Sequence, residues 1–211
     1  MSIDEERLLF SELNGHLASM ALFKTNTGLR EQEVVNLSWQ WEVQVPELDS
    51  SIFVVPHRFV KNGLDRYVAL NRIARSVIES CRCKHPERVF TGNGRPVTKI
   101  YNSSWKGARR RASERYAEEL GRPRPKGSQS LRVHDLKHTW ASWQVQAESP
   151  LSHFQEFGGW ASFSMVQRYA HLSAGHLKRY ADRTLLGDPR ALSKDFRPDG
   201  LGCVIGHCGN N

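Results

Sequence analysis

The stretch Gly158–His171, GGWASFSMVQRYAH, constrains this chain more than any other part of it. Its paired glycines break one short helical pattern, and a second short helix, starting just after Trp160, carries Tyr169. A phenol placed this way is ordinary by itself. With an unperturbed pKa near ~10 it is a poor nucleophile at neutral pH, and most tyrosines supply apolar area and one hydrogen bond. Chemistry at Tyr169 therefore needs partners elsewhere in the chain that activate it and stabilise charge.

The pattern along the chain is mainly helical. Ser2–Lys24 has apolar residues at Leu9, Leu13, Leu17, Met20 and Ala21, a helical period with acidic residues in its first turn, and it ends at Asn26-Thr27-Gly28. Arg30 opens a shorter helical pattern through Val34 and Leu37. The run Trp39–Val45 follows and is broken off by Pro46 and Asp49. Ser51–Val55 and Tyr67–Leu70 read as strands, joined by a connection containing Asn62-Gly63.

Asn71–Arg82 is an amphipathic helix, Gly92–Pro96 a turn, and Lys99–Leu120 a long basic helix, followed by a Pro/Gly/Arg loop. Arg132–Glu148 is helical with Leu136, Trp140, Trp143 and Ala147 spaced for the core, while His134 and Lys137 share its other face. Ser173–Leu185 is the last helix, and Asp188–Asn211 has no period. The expected fold class is α+β: a mainly helical domain with a small antiparallel sheet near the N-terminal third.

Charge narrows the partner. The chain carries a formal charge of +8 and a pI near 9.6, which points to a polyanion. Between Trp105 and Lys137 there are ten basic residues against four acidic ones, with Lys106, Arg109, Arg110 and Arg132 the candidates for touching phosphates. No run of about 18 apolar residues exists and the N-terminus is acidic, so the expectation is a cytoplasmic protein without a membrane partner. Cys81, Cys83, Cys203 and Cys208 lack the usual spacing of zinc ligands and read as incidental thiols, leaving no metal or cofactor expected.

Several separated stretches then line up with one family. They are Thr27-Gly28-Leu29-Arg30-Glu31-Gln32-Glu33-Val34, Val60-Lys61-Asn62-Gly63, Val133-His134-Asp135-Leu136-Lys137-His138-Thr139, and Gly158-Gly159-Trp160 followed nine residues later by Tyr169-Ala170-His171. Each alone is unspecific, but their order and spacing are specific. On these stretches the chain resembles the catalytic domain of tyrosine recombinases of the phage integrase family.

That resemblance implies a catalytic domain over residues 1–186, an irregular tail over 187–211, and the absence of the DNA-gripping domain that family members place before it. It further implies metal-free transesterification: Tyr169 attacks a phosphodiester of double-stranded DNA, giving a 3′-phosphotyrosine and a free 5′-hydroxyl. A pentacoordinate phosphate concentrates negative charge, which fixed cations and donors must meet.

By the same resemblance Arg30 holds phosphate oxygens and Lys61 protonates the departing 5′-oxygen. His134 manages protons, a task suited to a pKa near ~6.5, and Trp160 packs beside the phosphate and donates an indole hydrogen bond. Glu33 and Asp135 play supporting parts. Lys137 stands where most members carry a second arginine, keeping the charge but losing the bidentate fork. Copies are expected to assemble on DNA, as a tetramer in the family, with accessory DNA-bending proteins as further partners. Two functions stand: a site-specific integrase, or a weak or inactive DNA-binding remnant of one.

Overall fold

The computed structural model describes residues 1–169 apart from 47–49, 124–126, 128–129, 148 and 161, and the side chains of 151–153. The chain divides into two units, Met1–Ser173 and Ala174–Asn211, and the described residues belong to the first. The expected helix Ser173–Leu185 and the tail 187–211 lie outside the described residues.

The single helix expected over Ser2–Lys24 is two, α1 (Ile3–Glu12) and α2 (Gly15–Thr27). Ser2 and Glu5 form a reciprocal capping box at the start of α1. The break falls at Asn14, extended at φ −69° and ψ 156°, because Asn-Gly favours a cap over a helix interior. The apolar period runs through the break, so Leu9, Leu13 and Leu17 still share one core.

Helix α2 ends at Gly28, in the left-handed region at φ +64°. A Cβ there would sit 2.4 Å from the Trp140 ring, so the close approach of this turn to that ring demands glycine. Helix α3 (Glu31–Val35) follows, and Trp39–Trp41 forms one 3-10 turn.

Three strands, not two, make the sheet: β1 (Glu42–Val45), β2 (Ser50–Val55) and β3 (Arg66–Ala69), antiparallel in that order. Phe53 lies opposite Val68, and Val55 opposite Arg66. Since side chains alternate between faces, this register turns Arg66 inward beside Val68, while Tyr67 faces solvent. An arginine on the core face of a strand must be paired, and Arg66 is.

Helix α4 (Arg72–Cys81) buries Ala74, Val77, Ile78 and Cys81, one stripe of a helix capped by Asn71. Strands β4 (Thr91–Gly92) and β5 (Arg95–Pro96) form a hairpin turned at Asn93-Gly94, both at positive φ. Helix α5 (Ser103–Leu120) begins at its Asn102 cap rather than at Lys99 and buries Trp105, Ala108, Ala112 and Tyr116 against the core.

Helix α5 lies along α1, and much of its basic character is consumed there. Arg111 and Arg115 both bond Glu12, Arg115 also pairs with Glu119, and Arg110 pairs with Glu114. Of the ten basic residues counted above, Arg110, Arg111, Arg115 and Arg122 are thus matched by carboxylates of α1 and α5. Exposed pairs of this kind each contribute only about 0.2–1 kcal/mol.

Helix α6 (Asp135–Gln146) corrects the expected face. Leu136, Lys137, Trp140, Ala141 and Val145 are buried, whereas Trp143 is half-exposed and Ala147 exposed. Helices α7 (Leu151–Gly158) and α8 (Phe163–Gln167) flank the glycine pair. Trp140, Ala141, Val145, Phe154, Trp160 and Val166 form a second, smaller core on which Tyr169 packs. No helix among the described residues is long and apolar enough to cross a membrane.

Candidate active site

The site is built on a buried carboxylate. Arg30 caps α3 in an extended conformation, and Glu33, three residues on, accepts from the Arg30 amide at 2.8 Å and from its guanidinium at 3.0 Å. Arg66 donates to Glu33 Oε2, the oxygen that also takes the Arg30 amide, at 2.6 Å. Glu33 is fully buried and Arg66 only 3% exposed, while the Arg30 side chain keeps 24% of its surface. Burial pushes the Glu33 carboxyl up, but Arg66, the Arg30 amide and the Arg30 guanidinium outweigh it and hold the group below the usual carboxylate range.

Arg66 also ties three elements together. Its Nη2 donates to the Gly28 carbonyl at 3.2 Å and to the Phe157 carbonyl at 2.6 Å, joining the end of α2 to the last turn of α7. Carbonyls at a helix end have no partner within the helix and suit a cation. Lys137 donates to the Gly158 carbonyl at 2.6 Å, and Arg30 reaches the Gly159 carbonyl at 3.4 Å. Three basic side chains therefore hold three successive carbonyls where α7 stops.

Lys137 is not on a surface face with His134, as the helical spacing suggests; it is 4% exposed, with its ammonium 4.7 Å from the centre of the Trp160 ring. The physical reason is that its carbonyl partner lies inside, where α7 ends. Burial first, then Arg66 and Arg30, pull its pKa down to about 6. Lys24, fully buried with its amine on the Leu29 carbonyl, is lowered by burial to about 8.

Trp160 is 7% exposed and packs between Phe154, Trp140 and Tyr169, with ring centroids 4.7, 5.9 and 5.9 Å away. A Cβ on Gly158 would fall 1.8 Å from that ring, so the first glycine of the pair makes room for the tryptophan. The second, Gly159, ends α7 at φ +58° with Arg66 against it.

His134 precedes α6 in a turn that Asp135 secures, its carboxylate taking the Arg132 amide at 2.8 Å and guanidinium at 3.0 Å. One helical turn beyond His134 stands His138, its ring edge-on at 4.9 Å, and His138 Nδ1 is hydrogen-bonded to the Tyr169 hydroxyl. Burial lowers both imidazoles and raises the Tyr169 phenol. Lys61 is exposed in the Val60–Gly63 turn, closed by the Gly63 amide on the Val60 carbonyl at 3.0 Å.

Arg30, Lys61, His134, Lys137, Trp160 and Tyr169 line one cleft of about 430 Å³, together with His138 and Arg168. Glu33 lies behind it and Asp135 at the turn below His134. Lys106, Arg109, Arg110 and Arg132 lie outside it. Lys106 is exposed beside the Tyr101 ring, and Arg109 is half-buried on the Leu131 carbonyl at 3.0 Å. Arg110 and Arg132 are exposed and paired with Glu114 and Asp135.

Sequence reasoning missed Arg66 and His138. The signals were present: a charged residue in the inward register of a strand, and a histidine four residues after another on one helix face.

A helical domain flanked by a short antiparallel sheet, with a tyrosine facing a cleft of cations and imidazoles, defines the catalytic-domain fold of tyrosine recombinases. Similar solved structures agree: XerA recombinase matches at a TM-score of 0.58 and 20% identity, over 89% of this chain and 64% of that one. The Tn1549 transposon integrase in complex with circular intermediate DNA gives 0.58 at 16% identity, over 87% and 66%.

The chain belongs to the phage integrase family, which its residues 1–176 match. The integrase of Salmonella phage P22 is 35% identical over 190 residues, 84% of this chain and 44% of that protein. The chain thus spans less than half the length of the curated relative it matches.

Proposed function

We propose that this chain carries out the strand-breaking and rejoining chemistry of site-specific DNA recombination. The carrying observation is that side chains from five separated segments, Arg30, Lys61, His134 with Lys137, Trp160 and Tyr169, line one cleft with the phenol among cations. Tyr169 attacks the phosphorus, the bond to the 5′-oxygen breaks, Lys61 gives that oxygen a proton, and Arg30 and Lys137 meet the charge on the phosphate. The 3′-phosphotyrosine conserves the bond for rejoining.

Duplex DNA is the substrate on this reading. Support comes from the similar Tn1549 integrase, described in complex with circular intermediate DNA, and from XerH site-specific recombinase, described as bound to a palindromic difH substrate. Assembly of copies on DNA and DNA-bending accessory proteins belong to the same reading, as does action in the cytoplasm.

A DNA-binding remnant without turnover is the competing reading, favoured by one observation: the Lys137 amine is engaged by the Gly158 carbonyl inside the protein. Covalent capture separates the two. Nicked duplexes of randomised sequence, whose cleaved end diffuses away, should yield a protein–DNA adduct that Tyr169→Phe abolishes; the absence of any adduct refutes the enzymatic reading.

A further inference from the structure

We propose that His138, rather than His134, takes the proton from Tyr169 as the phenol attacks; this rests on the reading that Tyr169 is the nucleophile. The imidazole hydrogen-bonded to the phenol is that of His138, through Nδ1. His134, at the start of α6, makes no hydrogen bond to Tyr169 among the described residues and meets His138 edge-on. Helix geometry explains the division. His134, which caps α6, and His138, within its first turns, lie four residues apart and so share one face; both line the cleft, and the later one meets Tyr169 just beyond α8.

The surroundings suit a proton acceptor. A neutral imidazole has one ring nitrogen with a free lone pair, and Nδ1 can accept only in that form. Lys137 on α6, His134 and Arg132 before it, and Lys24 on α2 oppose a positive charge on His138, whereas Asp135 favours one. Arg168, which also lines the cleft, favours the ionised phenol. Partial burial keeps His138 neutral and the phenol protonated at pH 7, so an unaided Tyr169 would be phenolate in fewer than about one molecule in a thousand.

The step balances. The hydroxyl proton passes to His138 Nδ1, the phenol oxygen bonds to phosphorus, and the bond from phosphorus to the 5′-oxygen breaks as Lys61 protonates that oxygen. In rejoining, the imidazolium returns its proton to the tyrosine.

The test measures single-turnover adduct formation by the full chain and its His138→Ala, His138→Gln, His134→Ala and Lys61→Ala variants, on duplexes recovered by capture with the unaltered protein. His138→Ala should be slower by about 10²- to 10⁴-fold, with a rate that keeps climbing with pH where the parent's levels off. His138→Gln, which can hold the hydroxyl but not accept its proton, should be comparably slow. A 5′-bridging sulfur, whose thiolate leaves without a proton, should rescue Lys61→Ala but not His138→Ala. Rates for His138→Ala within twofold of the parent, or rescue by sulfur, overturn the proposal while leaving Tyr169 as nucleophile.

A readout without DNA covers the remaining case. Tyr169→Phe should shift the NMR titration of the His138 ring but not that of His134, and an unchanged His138 titration overturns the contact itself. Absence of any adduct from the unaltered protein instead removes the nucleophile reading and this step with it.

Discussion

Arg66 meets Glu33 at 2.6 Å across 33 residues of sequence, with both side chains out of water. Neither touches the cleft surface, yet Arg30 is aimed by the carboxylate they share.

Removing Arg66 leaves the Glu33 carboxylate buried with Arg30 as its remaining partner and strips the Phe157 carbonyl of its donor. Breaking a buried pair this way costs about 3–5 kcal/mol. Arg66→Ala should therefore lower the unfolding free energy by that amount, read as a lower urea midpoint at an unchanged slope, and Arg66→Lys, which cannot reach Glu33, Gly28 and Phe157 together, should recover only part of it. A loss below about 1 kcal/mol would contradict the linkage described here.

Lys137 sets a stability trend with pH. Its folded pKa of about 6 lies below the 10.5 of an exposed lysine, so between those values the unfolded chain binds the extra proton. Stability contributed at this site therefore rises with pH across that window, and the full penalty of the buried charge is present below about pH 6. Lys137→Met should flatten the trend: its Tm should exceed the parent's by most at pH 6 and by least near pH 10, followed by thermal melting across that range.

The Tyr169 segment hangs on one aliphatic anchor. Helix α8 has five residues, too few to hold itself, and Val166 is its buried side chain while Phe163 and Met165 are exposed. Val166→Ala should weaken this docking by about 2 kcal/mol. Hydrogen exchange should quicken at residues 163–169 with little change in α2, and adduct formation should slow while DNA affinity stays the same.

Gly158 tolerates no side chain. A Cβ at 1.8 Å from the Trp160 ring must expel the ring, and with it the packing under Lys137. Gly158→Ala should shift Trp160 fluorescence toward the exposed range and lower Tm by several degrees; a Trp160→Phe background, with a smaller ring, should soften both effects.

The legible parts were those written in local chemistry. Caps, glycine turns and the stripe of α4 follow from neighbouring residues, and the four motif stretches preserve their order, so the cleft residues could be named. What stayed hidden depended on register and on carbonyls. Nothing local says that Arg66 faces inward, because that follows from Val55 lying opposite it. Nor does the helical period place Lys137 inside, since its partner is a main-chain oxygen that exists only where α7 stops. The pairing within the basic run was hidden for the complementary reason: the carboxylate that meets Arg111 and Arg115 sits on α1, about a hundred residues earlier.

The end of α7 gives the resting cleft a property that charge counting misses. Phe157, Gly158 and Gly159 present oxygens to Arg66, Lys137 and Arg30 much as a phosphate would. The domain thus carries its own stand-in anion, and its two deep guanidiniums, Arg66 and Arg30, need no bound salt ions to keep them company. On the proposed reading an arriving DNA phosphate exchanges with peptide oxygens there instead of displacing counterions, so the salt sensitivity of binding belongs to Lys61, Lys106 and their exposed neighbours.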